Sequence, residues 1–363
     1  MILKIKQYIQ NFFSITYIKT IFNFINLIIF FFVSRLGIIS AFFMSFINFS
    51  FIREQHAVTS GIYKFYYRSI KKINWSLIRR NTHRIEKGLI MKPQKKIFAL
   101  NYIEETVNEY LKLEKNNENH TVKWCTDVLD TFFNTIQLND KTKKLKNKFD
   151  NHKLKFEIPF DNDDKRNNYN EKYTPYFKEN YLSKVKYEDL YQLSVNRRSV
   201  RYFKPNKIDK NILDKALLIA RQAPTACNRA PYKYIFFNES NMASEIASIP
   251  FGTIGYSHQI PCLAVLVGDL SLFASSRDRH NIYVDSSLSA MSFIFALETL
   301  GLSSCCINWP DFLPLEIKMS KKLKLKSYER VIMLIAIGYA DYQSKVCFSK
   351  KKELNEISIF HKK

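Results

Sequence analysis

The sequence predicts an α+β fold of α/β-type three-layer build, a sheet flanked by helices on both faces, preceded by a helical N-terminal extension. Three observations predict it. Short apolar runs at 234–237, 262–268 and 331–338 have the length and composition of buried strands. Between them lie helical patterns, the amphipathic stretch 212–221 and the long, largely apolar stretch 283–300. Strands that alternate with helices suit a sheet covered on both faces. Ahead of them, from Asn151 to Lys186, the composition turns to Asn, Asp, Lys and Tyr with little periodicity, which marks the best boundary in the chain. The chain therefore divides into an apolar segment (1–50), a basic helical extension (51–150), a polar linker (151–185) and a folded domain (186–357).

Composition narrows the function classes. A chain of 363 residues that is 46% hydrophobic can bury a substantial core. The net charge of +23 favours an anionic partner, and most of the surplus lies outside residues 186–342. No nucleic-acid reading motif accompanies it, so no nucleic-acid partner is expected. Only eight glycines occur, and neither common Gly-rich nucleotide loop is present. The six cysteines form no C-x-x-C pair and the seven histidines no metal-helix spacing, so no metal site or disulfide framework is indicated and reduced thiols are expected.

In order along the chain, residues 27–47 are long enough and apolar enough to span a bilayer. Arg35 at their centre costs about 2.5–3.5 kcal/mol on the insertion scale, which the surrounding Phe, Ile and Leu can offset. Asn23, Asn26, Ser34, Ser40 and Ser45 recur at helix-like spacing, which suits a helix packed on protein or lying in the membrane interface. No small-residue cleavage site follows. Residues 51–96 read as basic helix. Their most distinctive phrase runs from Arg79 to Leu89, with Arg84 and Lys87 flanking Glu86 and Gly88 as a helix stop. Two more helices are expected at 100–115 and 121–138, then a Lys-rich segment through Lys148. Residues 187–196 read as helix, Asp209 as an N-cap, Gly301 as the end of the long helix, and 331–338 as a central strand.

Two stretches carry chemistry. Arg197, Arg198, Ser199 and Arg201 set three guanidiniums and a hydroxyl at a helix end, a ready site for a phosphate; an isolated run of this kind is equally a solvated basic face. The turn from Ala223 to Pro231 is rich in small residues, so its backbone and the Asn228 amide can approach a flat heteroaromatic edge. It also serves as an ordinary helix-to-strand turn.

With both in view, about residues 186–357 resemble the FMN-dependent nitroreductase family. The resemblance rests on five features in order: Arg197 to Arg201; Ala223 to Tyr232; the helix from Asp285 through Gly301 and Leu302; Ser303 to Trp309; and the strand ending at Gly338 and Tyr339, followed by the basic tail Ser349 to Lys352. It implies that Arg197, Arg198, Ser199 and Arg201 hold the FMN phosphate and ribityl chain, with Lys350 and Lys351 closing on them from the tail. It further implies that Thr225, Ala226 and Asn228 line the flavin, that Asp285 lies near the ring, and that Cys306, Asn308 and Trp309 occupy a loop by its N5 region. Ala230 stands where Gln is common, and Ser303-Ser304 replaces a more usual second glycine.

The implied activity is ping-pong hydride transfer from NAD(P)H through flavin N5 to an acceptor, whether nitro compound, quinone or glycan-pathway intermediate. The chemistry is borne by the cofactor, so no side chain is singled out as catalytic. Homodimers sharing each flavin, with the 283–300 helix at the interface, are implied as well. The expected location is cytoplasmic, at the inner face of the membrane where residues 1–50 engage it. The phrase His83 to Leu89 is similar to a segment of nitroreductase-like proteins often encoded among polysaccharide-biosynthesis genes. That association keeps open a second role, a non-catalytic flavin-binding accessory protein of membrane-linked polysaccharide assembly. The phrase itself reads as a helix end.

Overall fold

The computed structural model describes residues 2–117, 119–154, 156 and 172–361, with the side chains of 2–17, 180 and 181 excepted. Residues 155 and 157–171 of the polar run expected as linker lie outside the described residues. The chain forms two compact units, residues 1–56 with 311–313, and residues 57–310 with 314–363.

In the first unit, α1 (Ile2–Val33) ends at a turn and α2 (Gly37–Phe42) runs into a π-helical turn (Phe43–Ile47). The break comes at Leu36, whose backbone is extended at φ −130°. Ser40 Oγ donates to the Val33 carbonyl at 2.6 Å, satisfying one of the acceptors that a helix end leaves open. Residues 27–47 are therefore not the single apolar helix that their composition suggested. Among the described residues no helix is long and apolar enough to cross a membrane.

The extension is built from α3 (Ile52–Lys71), α4 (Trp75–Leu89), α5 (Ile103–Tyr110), α6 (His120–Thr135) and α7 (Asp140–Lys153). Asparagine starts three of them. Asn74, Asn119 and Asn139 each accept from the first turn of the helix that comes next, the last in a full capping box with Thr142. Asn74 is fully buried and also donates to the Phe65 carbonyl at 3.1 Å and Ser69 Oγ at 2.8 Å, tying the end of α3 to the start of α4. Ile78, Ile85, Ile103, Val107, Tyr110, Leu129, Phe132 and Phe149 close the core of α4–α7.

Gly88 is not a helix stop, since α4 continues to Leu89. Its role is steric: a Cβ there would lie 2.2 Å from the Phe98 ring. Fragments 100–115 and 121–138 trim to α5 and α6, and the Lys-rich segment is the exposed face of α7, whose Leu145 and Phe149 are buried.

The remaining elements are α8 (Tyr187–Asn196), α9 (Lys210–Ala220), β1 (Tyr232–Phe237), α10 (Ser240–Ala247), β2 (Cys262–Asp269), α11 (Asn281–Thr299), β3 (Ser303–Asn308), α12 (Leu313–Leu323), β4 (Glu329–Gly338) and α13 (Leu354–Ile357). The four strands pair antiparallel in the order β1-β2-β4-β3, so β4 is central as expected. Alternation along β2 explains the layers. Leu263, Val265 and Val267 pack in one core with Ala243, Ile246 and Met319, while Cys262, Ala264 and Leu266 pack in another with Ala216, Ala290, Phe293 and Leu297. Each face of the sheet is thus covered by helices, and the expected α+β fold is borne out. Gly301 adopts φ +78°, the left-handed turn that ends α11.

Replacing Gly88 by Ala should force the Phe98 ring out of place and destabilise the protein by about 1–3 kcal/mol. A urea unfolding midpoint that does not fall would show that the ring yields freely.

Candidate functional site

The Arg-rich run begins where α8 ends. Arg197 is the C-cap of α8, and Val200 N–H donates to the Ser304 carbonyl at 3.1 Å, so the run lies beside the start of β3. Gln259 fixes the backbone at the far end of the run. Its Nε2 donates to the Arg201 carbonyl and its Oε1 accepts from Phe203 N–H at 2.9 Å. With the backbone held this way, Arg197, Arg198, Ser199 and Arg201 line a cleft of about 80 Å³ together with Cys347, Ser349 and Lys351 from the C-terminal tail. Arg201 Nη1 lies 3.6 Å from Cys347 Sγ. Arg197 Nε is buried there and makes no hydrogen bond among the described residues. Lys351 faces the cleft, whereas Lys350 pairs with Glu353 at 2.9 Å in an exposed ion pair.

A second constellation forms around the turn before β1. Cys227, Asn228 and Ala230 all have positive φ, 53°, 52° and 46°. Ala226 N–H donates to Asp285 Oδ2 at 2.9 Å, Ala230 N–H to Thr225 Oγ1 at 3.1 Å, and Arg229 Nε to the Ala226 carbonyl at 3.0 Å. Arg79 of α4 donates from Nε to the Asn228 carbonyl at 2.7 Å. Asp285 is 3% exposed, and burial holds its carboxyl above the usual range against the opposing pull of the Ala226 N–H and Arg229. Thr225, Ala226, Asn228 and Asp285 are therefore brought together.

Cys306, Asn308 and Trp309 do not form a loop. Cys306 and Asn308 are exposed on β3, which pairs with β4 along its length. Trp309 comes directly after, but its ring is in the core at 8% exposure and its Nε1 donates to buried Glu316. Only its backbone is left for a ligand. Cys306 is within electrostatic reach of Arg197, yet the protein around it pushes its thiol up to about 11.

The two constellations stand at opposite ends of α11. Asp285 grips the Asn228 turn near the helix start. Glu298, near its end, helps line a cavity with Arg198, Arg201, Gly301 and Ser303. At 1.5 Å per residue the two acidic side chains are roughly 20 Å apart along the axis. Within one chain the Arg run and the Asn228 turn do not meet. Gln259 and Cys347 escaped the sequence reading, and Arg79 was read there only as part of a basic helix; each acts on a residue distant in sequence.

The nitroreductase family model matches residues 195–253 and 257–339, which include the Arg run and the Asn228 turn but neither Lys351 of the tail nor Arg79 of the extension. Iodotyrosine deiodinase of Danio rerio is 21% identical over 200 residues, covering 47% of this chain and 67% of that protein. A protein of Methanothermobacter thermautotrophicus that bears the name NADH dehydrogenase/NAD(P)H nitroreductase is 26% identical over 161 residues, 43% of this chain and 80% of its own. The solved structure of an FMN-dependent nitroreductase from Clostridium difficile R20291 aligns with 47% of this chain and 98% of its own, at 22% identity and a TM-score of 0.40. The family match supports the expectation of an oxidoreductase for this domain.

An anion in the cationic cleft would shield the thiol beside Arg201. Inorganic phosphate should slow maleimide labelling of Cys347, followed by mass spectrometry, while the rate at half-buried Cys227 in the other constellation stays unchanged. Equal rates at Cys347 with and without phosphate would argue against an anion site.

Proposed function

We propose that this chain is an FMN-dependent oxidoreductase of nitroreductase type that takes reducing equivalents from NAD(P)H and passes them to a small-molecule acceptor. Nitro compounds, quinones and intermediates of glycan assembly are the acceptor classes of this reading. The observation that carries the reading is the cleft at the end of α8. Arg197, Arg198, Arg201 and Lys351 converge on it from two distant stretches of chain, and Arg197 keeps a buried donor without a protein partner among the described residues. Like charges at such range repel unless an anion lies between them, and a phosphate dianion matches both the charge and the forked donors.

When bound, FMN would supply the ring that accepts hydride from the nicotinamide. The chain's own part is binding and orientation. Arg197 and Arg201 would grip the phosphate, Ser199 would add a neutral donor, and Lys351 would close on it from the tail. At the other end, Thr225, Ala226 and the Asn228 amide would meet the polar edge of the ring. Asp285 keeps the Ala226 N–H tied down. Backbone donors and the guanidinium of Arg79 nearby would favour negative charge on that edge.

The separation along α11 argues for a homodimer. One ligand spanning both constellations needs them to come from two chains packed antiparallel, so that the Arg run of one faces the Asn228 turn of the other. α11 carries a surface for such packing: Val284, Leu288 and Met291 are 54%, 43% and 40% exposed and fall on one helical stripe. Tyr187, Leu190 and Tyr191 of α8 extend the exposed apolar area.

The first unit supports a second element of the proposal, engagement of a membrane interface on the cytoplasmic side. Ile18, Phe22, Phe24, Leu27, Phe31, Phe32, Ile38, Phe42 and Phe46 are all more than half exposed, on every side of their helices. Exposed apolar surface of this extent marks an interaction site.

Two outcomes test these readings. Replacing Arg197 and Arg201 together by Ala removes two charge-assisted grips and should weaken FMN binding by at least about 100-fold; stoichiometric FMN after gel filtration of the double variant would refute the phosphate assignment. Full-length protein should float with anionic phospholipid vesicles in a density gradient, and a chain lacking residues 1–51 should stay at the bottom. If both chains float, the membrane contact lies elsewhere.

A further inference from the structure

The Arg79 to Leu89 phrase reads from sequence as a helix end, but in the structure it reaches into the candidate cofactor site. Arg79 is the link. Its Nε holds the Asn228 carbonyl at 2.7 Å and its Nη1 holds Thr121 Oγ1 of α6 at 3.0 Å. The guanidinium lies 5.5 Å from the centre of the Trp124 ring. Trp124 is itself fixed, since its Nε1 donates to Glu86 Oε1 at 3.0 Å, and Glu86 Oε2 stands 3.7 Å from His83 Nδ1. A continuous line of contacts thus runs from His83 through Glu86, Trp124 and Arg79 to Asn228. The same face of α4 has a second anchor, where Ser76 Oγ donates to the Leu272 carbonyl at 2.6 Å, an acceptor that Arg229 shares at 3.3 Å.

We propose that Arg79 is a positioning residue of the cofactor site, delivered by the helical extension, and that Glu86 and Trp124 hold it in place. Resting on the flavin reading above, this deepens it. Asn228 presents its amide from a left-handed backbone, flanked by Cys227 and Ala230 in the same region, a run of φ values that needs support from its surroundings. Arg79 contributes to that support through the Asn228 carbonyl, which leaves the carboxamide free to meet the polar edge of a flavin. The extension is therefore a working wall of the site, and its most distinctive phrase is the buttress of that wall.

The test separates the two ends of the ligand. FMN and riboflavin share a ring, and only FMN carries the phosphate. Arg79→Ala should weaken both by the same factor, about tenfold or more, and should blur the vibronic shoulders of the bound-flavin spectrum. Arg201→Ala should weaken FMN far more than riboflavin. Arg79→Lys and Trp124→Phe should fall between wild type and Arg79→Ala. In flavin-free protein, Arg79→Ala should speed amide hydrogen exchange at 226–230 and leave β2 and β4 protected, a pattern that general destabilisation would not give. Wild-type protein that takes up flavin, with an Arg79→Ala variant that binds both flavins as tightly and exchanges as slowly at 226–230, overturns the inference and leaves the flavin reading standing. Wild-type protein that takes up neither flavin overturns both.

Discussion

A single rigid helix sets the geometry of this molecule. α11 runs from Asn281 to Thr299 under the sheet, with Phe293 and Leu297 locked in the core, and it holds a carboxylate near each end. Asp285 fixes the turn that carries Asn228, while Glu298 sits by the Arg run. Because the helix cannot shorten, the two groups of residues cannot approach one another inside one chain. The proposed shared site and the proposed pairing of two chains are consequences of one length, and neither stands without the other.

The cationic cleft depends on a different constraint, the cost of keeping like charges close. Glu298 of the neighbouring cavity is an acidic group set against Arg197, so the lining, with Arg197, Arg198, Arg201 and Lys351, keeps an excess of positive charge. The backbone that carries them is held by Gln259, by the bridge between Ser199 and Ser304, and by Phe203 against Gly338, none of which is charged. By contrast, the buried charges nearby are paired. Arg330 and Glu316, at 1% and 2% exposure, sit 3.2 Å apart, and the same carboxylate holds Trp309. Removing one partner of such a pair leaves a buried charge uncompensated, so this network secures the end of β3 without taking part in binding. What singles out the cleft is the convergence of four cationic side chains from two distant stretches of chain on one small cavity.

Much of the fold was legible because local physics and tertiary packing agree. Asp209 caps α9, Gly301 ends α11, and residues 187–196 match α8, each through a signal that acts within a few residues. β3 was missed as a strand because Ser303, Ser304, Cys305 and Cys306 show no apolar alternation; its pairing with β4 and the cover above it decide its state. Gly88 misled for the opposite reason, since the clash it avoids is with Phe98, which no local pattern announces. In the site, the Arg run was legible as a candidate anion site and Lys351 came from the family resemblance; the fold sets them on one cleft. That Trp309 turns into the core, and that Lys350 turns to Glu353, depends on partners that only the folded chain supplies. Arg79 was the least legible, because its partner lies 149 residues away.

The turn at Asn228 brings these themes together. Three non-glycine residues there, Cys227, Asn228 and Ala230, occupy the left-handed region, which costs Cys227 and Ala230 about 1–2 kcal/mol each before compensation and Asn228 less. A turn under that load relaxes unless it is over-determined, and this one is held from four directions: Asp285 below, Arg229 and Thr225 within it, and Arg79 from the extension. Asp285 achieves this while buried, although burial makes its charged form costly. Each net hydrogen bond contributes about 1 kcal/mol, and those to charged groups more, so the four together are of the size needed to keep the strained form. Strain maintained at this expense fits a surface that must present its donors in one arrangement before a ligand arrives. On the proposal made above, the helical extension belongs to the site as much as to the scaffold, because without Arg79 this turn loses one of its four holds.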